Sequence, residues 1–277
     1  MKVYKTKNGI IIEKKGRYYK TKTQDWNALM NRTNLHSALS SEVKGQEPIA
    51  FDASTIVAPI ADQEIWASGV TYMRSREARM EESKKAGGDT FYDKVYDAER
   101  PELFFKAMAN RTVGTHDLVN IRKDSKWDVP EPELTLWISS EGTIEGYTIG
   151  NDMSSRSIEG ENPLYLPQAK TYERCAGLGP CVFVPERPID QSTSITLEIR
   201  RGNDQMFYGK VPISNMKRNH KELVGFLFRE CNFPNGCYLM TGTGLVPPDD
   251  FTLQPNDEIK ITIDHIGTLV NHVAYKN

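Results

Sequence analysis

The chain has 277 residues, 38% hydrophobic and 26% charged, with a net charge of −2 and no basic block. That is the size of one large domain with an appendage, or of two domains, in a soluble globular protein. The charge argues against nucleic acid as the main partner, no apolar run approaches the ~20 residues of a membrane span, and none follows the basic start as a signal peptide requires.

Four cysteines occur as Cys175/Cys181 and Cys231/Cys237, each pair separated by five residues, which is not a zinc spacing. Reduced thiols in the cytoplasm are the expectation.

Taken in order, Asn8-Gly9 between two apolar-rich runs predicts a hairpin with a type I′ turn, and Lys15-Gly16 predicts a second turn. After Asp25, the spacing of Trp26, Leu29, Met30, Leu35, Ala38 and Leu39 predicts a helix over 26–41. Together these suggest a small N-terminal β-meander-plus-helix module, residues 1–60, used for packing or subunit contact. A second unit, residues 61–277, opens on a short apolar strand over 65–70. A charged helix is expected next, stopped by Gly87-Gly88. Most such helices are solvated surface. Yet Arg74, Arg76 and Arg79 directly follow a strand end, where loops carry binding residues. The sharper reading is a lid over 74–85 that brings arginines to an anionic substrate. Glu102 and Lys106 then bracket Leu-Phe-Phe, a buried strand. If Glu102 faces inward it needs a partner or a raised pKa, as a proton-transferring carboxylate does. If it lies just outside the strand it is simply wet, and spacing alone does not separate the two.

The most informative stretch is Val-Pro-Glu-Pro-Glu-Leu-Thr-Leu at 129–136. Residues i and i+2 of a strand share a face, so Glu131 and Glu133 stand side by side. Like charges that close require a proton or a cation between them. Pro130 and Pro132 place the pair on a sheet edge or rim. A divalent cation is the sharp reading, a solvated acidic strand end the bland one. Downstream, a strand ends in Asp152-Met153-Ser154-Ser155-Arg156, and a proline-rich loop closes on Lys170. An amphipathic helix is predicted over 220–229. A short strand then enters Thr241-Gly242-Thr243-Gly244, a turn that lets a ligand approach the backbone. Strands dominate and helices are few, so the class is mainly β (α+β).

The motifs Pro-Glu-Pro-Glu-Leu, Gly-Asn-Asp-Met-Ser-Ser-Arg, a loop ending in lysine, and Gly-Thr-Gly occur in that order. Over residues 56–266 they resemble the fumarylacetoacetate hydrolase family, nearest its 2-keto-3-deoxy-pentonate dehydratase branch. The resemblance implies a mixed β-sandwich roll, usually in a homodimer or homotetramer. It implies Glu131, Glu133 and Asp152 as magnesium ligands, with manganese as a substitute. It implies Lys170 and Glu102 as catalytic residues and Thr243 as a contact to the substrate carboxylate. Ser75 and Arg76 match the lid, with Arg74, Glu77, Lys106 and Arg156 as further substrate contacts. Hydrolases of the family resemble one another in a lid histidine two residues after the Ser-Arg pair, and Ala78 stands there. An acidic residue common just after the first strand is replaced by Gly69-Val70-Thr71.

These departures favour a lyase acting on a 2-keto-3-deoxy sugar acid. The cation would polarise the 2-keto group, Lys170 would take a C3 proton and Glu102 would assist loss of the C4 hydroxyl. Which of the two residues is acid and which is base is left open by the sequence. Hydrolysis of an acylpyruvate, decarboxylation of a 2-oxo diacid, and metal binding without turnover are the alternatives.

Overall fold

The computed structural model describes residues 1–74 and 95–276. The chain begins with β1 (Lys2–Thr6), β2 (Gly9–Lys14) and β3 (Arg17–Lys20), paired antiparallel as the turn signals predict. The two positive φ angles of a type I′ turn fall at the second turn, on Lys15 and Gly16, whereas at the first only Gly9 has one. The single helix expected over 26–41 is two, α1 (Trp26–Met30) and α2 (Leu35–Glu42). Asn34, in the left-handed region at φ 56, interrupts them. The apolar positions are nonetheless buried as their spacing demands: Trp26, Leu29, Met30, Leu35 and Leu39.

The next strands are β4 (Glu64–Gly69), β5 (Glu102–Met108), β6 (Thr112–Val113), β7 (Leu118–Ile121) and β8 (Asp128–Val129). A hairpin of β9 (Pro132–Ile138) and β10 (Ile144–Asp152) follows. Then come β11 (Ser154–Ser155), α3 (Arg156–Glu161), α4 (Leu166–Lys170), β12 (Ala176–Phe183), β13 (Ser194–Arg201) and β14 (Asp204–Pro212). The chain closes with α5 (His220–Leu227), β15 (Cys237–Met240), β16 (Glu258–Ile263) and β17 (Gly267–Tyr275). Among the described residues, a ten-stranded sheet runs β3-β2-β1-β12-β10-β9-β15-β4-β5 with β6 added to β12, and a five-stranded sheet runs β14-β13-β16-β17-β7. Both sheets are mixed, with parallel pairs at β15/β4, β12/β6 and β17/β7.

The strand β9 shows where the core lies, because all seven of its residues are buried. Leu134, Leu136 and Ile138 pack into the same cluster as Leu197, Ile199, Ile259 and Ile261 of the second sheet. Trp137 packs instead with Met30, Leu35 and Leu39 of α1 and α2, and its ring N–H donates to the Met30 carbonyl at 3.2 Å. The large sheet is thus covered on both faces, which is why β9 is apolar on both. Residues 1–60 supply three of its strands and the helices over one face. Pro132 is the first residue of an interior strand, a position proline tolerates. The acidic stretch therefore sits on the rim of the sheet rather than on an edge strand.

Candidate active site

The β9–β10 hairpin brings the three carboxylates together. Just before the start of β9, Glu131 exchanges both backbone hydrogen bonds with Asp152, at 3.2 and 2.9 Å, so the two stand directly opposite each other. Glu133, two residues along, shares that face. Each of the three offers an oxygen within 4.8 Å of the others, and all three residues are buried. The Glu133 carboxyl is pushed well above the usual carboxylate range, first by burial and then by the charges of Asp152 and Glu131. The Gly242 N–H, from the small-residue turn after β15, donates to Glu133 Oε2 at 2.6 Å.

Three buried cations answer these charges. Lys170, the last residue of α4, sets its Nζ 2.6 Å from Glu131 Oε2 and 3.2 Å from Asp152 Oδ2, and donates to Ser154 Oγ at 2.5 Å. Glu159 Oε1 lies 3.2 Å from the same Nζ. Arg156 Nη2 reaches Glu131 Oε1 at 2.5 Å, and its Nε lies 3.8 Å from Glu159 Oε2. Lys106 Nζ pairs with Asp152 Oδ1 at 2.6 Å and donates to the carbonyls of Met153 and Lys170 at 2.8 and 2.5 Å. Burial without partners costs an ion several kcal/mol, so this interleaving is what makes the cluster tolerable.

The carboxylates, Arg156, Lys170 and Thr243 wall a small cavity of ≈ 10 Å³, together with Ser68, Gly69, Val70, Phe104 and Gly242. It is on the scale of a single bound water or ion. The donor set fits a hard divalent cation: oxygen only, three carboxylates on one face, and one of them costly to ionise unaided. A larger cleft of ≈ 1050 Å³, walled in part by His36, Glu141, Glu186, Arg187 and His220, shares no residue with it.

Of the residues singled out from sequence, Glu131, Glu133, Asp152, Lys170, Arg156 and Thr243 meet at this cavity. Thr243 is buried, and its Oγ1 bonds to the Leu245 backbone. Glu102 opens β5 opposite Gly69, which walls the cavity, but is not itself among the residues that wall it. Lys106 joins the cluster but turns its ammonium into the protein. Arg74 is the last described residue before the expected lid, and Ser75, Arg76 and Glu77 lie outside the described residues. Sequence reasoning missed Glu159 and Tyr72, and quoted Ser154 and Gly242 within motifs without assigning Ser154 its contact to Lys170 or Gly242 its contact to Glu133. Tyr72 is buried, and its hydroxyl is pushed up by burial and then by the Glu133 charge. The one signal for Glu159 was its place three residues after Arg156.

The family model for the fumarylacetoacetate (FAA) hydrolase C-terminal region matches residues 65–274. The chain belongs to this family. Within the fumarylacetoacetate hydrolase family, it is similar to a probable 2-keto-3-deoxyxylonate dehydratase of Haloferax volcanii, 48% identical over 251 residues, 89% of this chain and 85% of the relative. It is also similar to 2-dehydro-3-deoxy-D-arabinonate dehydratase of Saccharolobus solfataricus, 44% identical over 220 residues, 79% of this chain and 74% of that one. A solved structure of 2-keto-3-deoxy-D-arabinonate dehydratase complexed with magnesium and 2,5-dioxopentanoate matches at a TM-score of 0.85, with 36% identity and 100% of both chains covered.

Proposed function

We propose that this protein is a magnesium-dependent hydro-lyase that removes water from a 2-keto-3-deoxy sugar acid, yielding 2,5-dioxopentanoate from the five-carbon acid. One observation carries the reading: a lysine ammonium lies against two carboxylates of an oxygen-only cation site. The dehydratase names of the two relatives support it.

Glu131, Glu133 and Asp152 would hold the cation. Bound there, magnesium would polarise the substrate's 2-keto oxygen and offset the carboxylate charge that holds the Lys170 proton. Lys170, oriented by Ser154 and Glu159, takes a proton from C3. The electron pair left behind forms a C3–C4 double bond as the C4 hydroxyl departs. Glu102, as the carboxylic acid, gives that hydroxyl its proton, so water leaves. Tautomerisation of the resulting allylic alcohol delivers the C5 aldehyde. Thr243 and Arg156 wall the cavity and are assigned to the substrate's carboxylate end. Arg74, Ser75, Arg76 and Glu77 are assigned to the substrate on sequence grounds. We further place the protein in the cytoplasm, as a homodimer or homotetramer, on composition and family resemblance. Among the described residues, no helix is long and apolar enough to cross a membrane.

The test is turnover of purified protein with magnesium on 2-keto-3-deoxy-arabinonate and -xylonate, read as aldehyde formation, with acetylpyruvate as the competing substrate. Glu133→Ala is expected to fold and to lose activity, as is the wild type in excess chelator. Full turnover in either, or preference for acetylpyruvate, sinks the scheme.

A further inference from the structure

Gly69 closes β4, and Glu102 opens β5 directly opposite it. Side chains at opposed positions of an antiparallel pair share a face. Here one of the two is missing and the other fills its space. A Cβ on Gly69 would lie 1.9 Å from Glu102 Oε2 and 2.6 Å from its Cδ, so the carboxylate rests over the glycine backbone. Ser68 Oγ donates to the Glu102 carbonyl at 3.0 Å and fixes the start of β5 beside this seat. Gly69 in turn walls the acidic cavity.

Glycine is selected either for a positive φ or for a close approach. Gly69 is not among the residues with positive φ, whereas its neighbour Val70 is, at φ 54. A β-branched residue is strongly disfavoured there. The chain thus has valine where the backbone suits glycine, and glycine where the backbone does not need it. Close approach is the remaining reason, and the group that occupies the space is the Glu102 carboxylate.

We propose that Gly69 is a positioning residue for the dehydration: its missing side chain is the seat that holds the Glu102 carboxylate against the wall of the acidic cavity. The inference rests on the reading of Glu102 as the proton donor. Because the clash falls on the tip of a flexible side chain, Gly69→Ala should displace the carboxylate rather than unfold the strand. Alanine also suits a strand better than glycine. A purely structural glycine would lose stability, whereas this one should lose rate and keep stability.

The experiment compares G69A, E102Q and G69A/E102Q in the magnesium-loaded enzyme. E102Q is expected to lower kcat about 10²-fold or more. G69A should approach that loss, with KM and magnesium affinity within about twofold of wild type and Tm unchanged or raised. The double variant should be no slower than E102Q alone, as expected of two changes acting through one carboxylate. If E102Q turns over at the wild-type rate, the reading of Glu102 fails and the inference goes with it. If E102Q is inactive and G69A is fully active, or if the two losses multiply, the inference alone is overturned. Should G69A not fold, G69A/E102A must fold, since the clashing carboxylate is gone; a double variant that stays unfolded also overturns it.

Discussion

Lys106 has no exposed surface, and its ammonium has three N–H donors. Asp152 Oδ1 and the carbonyls of Met153 and Lys170 take all three. A substrate finds no donor there, so the contact expected from sequence becomes an internal clamp between a proposed metal ligand and the proposed base. The local cause is a β-bulge. Phe105 pairs with Trp66 and Ala107 with Ile65, leaving Lys106 as the extra residue of β5. A bulge re-aims a side chain in this way beside many active sites. Lys106→Met keeps the length and removes the charge. We expect magnesium affinity to fall about 10- to 100-fold, the usual cost of losing a partner that orients a metal ligand. Titration calorimetry on folded K106M checks this; unchanged or raised affinity would mean that Lys106 does not act by orienting Asp152. The sequence displayed a lysine at the end of an apolar strand, but the bulge depends on the register with β4, which no local pattern carries.

At the scale of elements, the acidic hairpin was legible because a period of two fixes which side chains share a face. Glu131 and Glu133 needed only that rule, and Asp152 needed only the next strand to run back antiparallel. Ser154 and Glu159 were not legible. Their meeting with Lys170 depends on how two helices of six and five residues pack against a two-stranded ribbon. The helix over 26–41 was misread as one because Asn34 adopts the left-handed region, which its neighbours do not announce. The helix predicted over 220–229 from its amphipathic spacing is α5, and in the structure Asn219 and Glu222 form a reciprocal capping box at its start. It also carries a pH dependence. His220, the first residue of α5, has its imidazole pushed down to about 4 by burial, and a positive charge there would oppose the helix dipole as well. The unfolded chain takes up this proton near pH 6.5 and the folded chain only near pH 4. Stability is therefore full above about pH 6.5 and is lost as the pH falls toward 4. The side chain is only partly shielded, so the loss is discounted to about 1–2 kcal/mol. His220→Gln should shrink the drop in Tm between pH 7 and pH 5, and an equal drop in both proteins refutes the assignment.

At the scale of the molecule, the site draws on four separated stretches: β4 with β5, the β9–β10 hairpin, α3 with α4, and the turn after β15. Order and spacing made these stretches recognisable in sequence. The balance of charge did not show, since Lys106, Arg156 and Lys170 stand among the carboxylates only once the chain is folded. The unfolded chain cannot gather three carboxylates on one face, so a cation held by the triad binds the folded state alone. Mass action then gives about 2.7 kcal/mol of stabilisation at a magnesium concentration one hundred times its Kd. For a chain of 277 residues that is a rise in Tm of about 5 °C. The clusters on both faces of the large sheet mix residues from the N-terminal strands and helices with those of the later strands, so the rise should move one cooperative transition rather than split it. Differential scanning calorimetry with and without magnesium measures it, and Glu133→Ala should abolish it. A Tm that magnesium leaves unmoved, in a protein whose turnover needs the ion, would assign the cation to the substrate rather than to Glu131, Glu133 and Asp152.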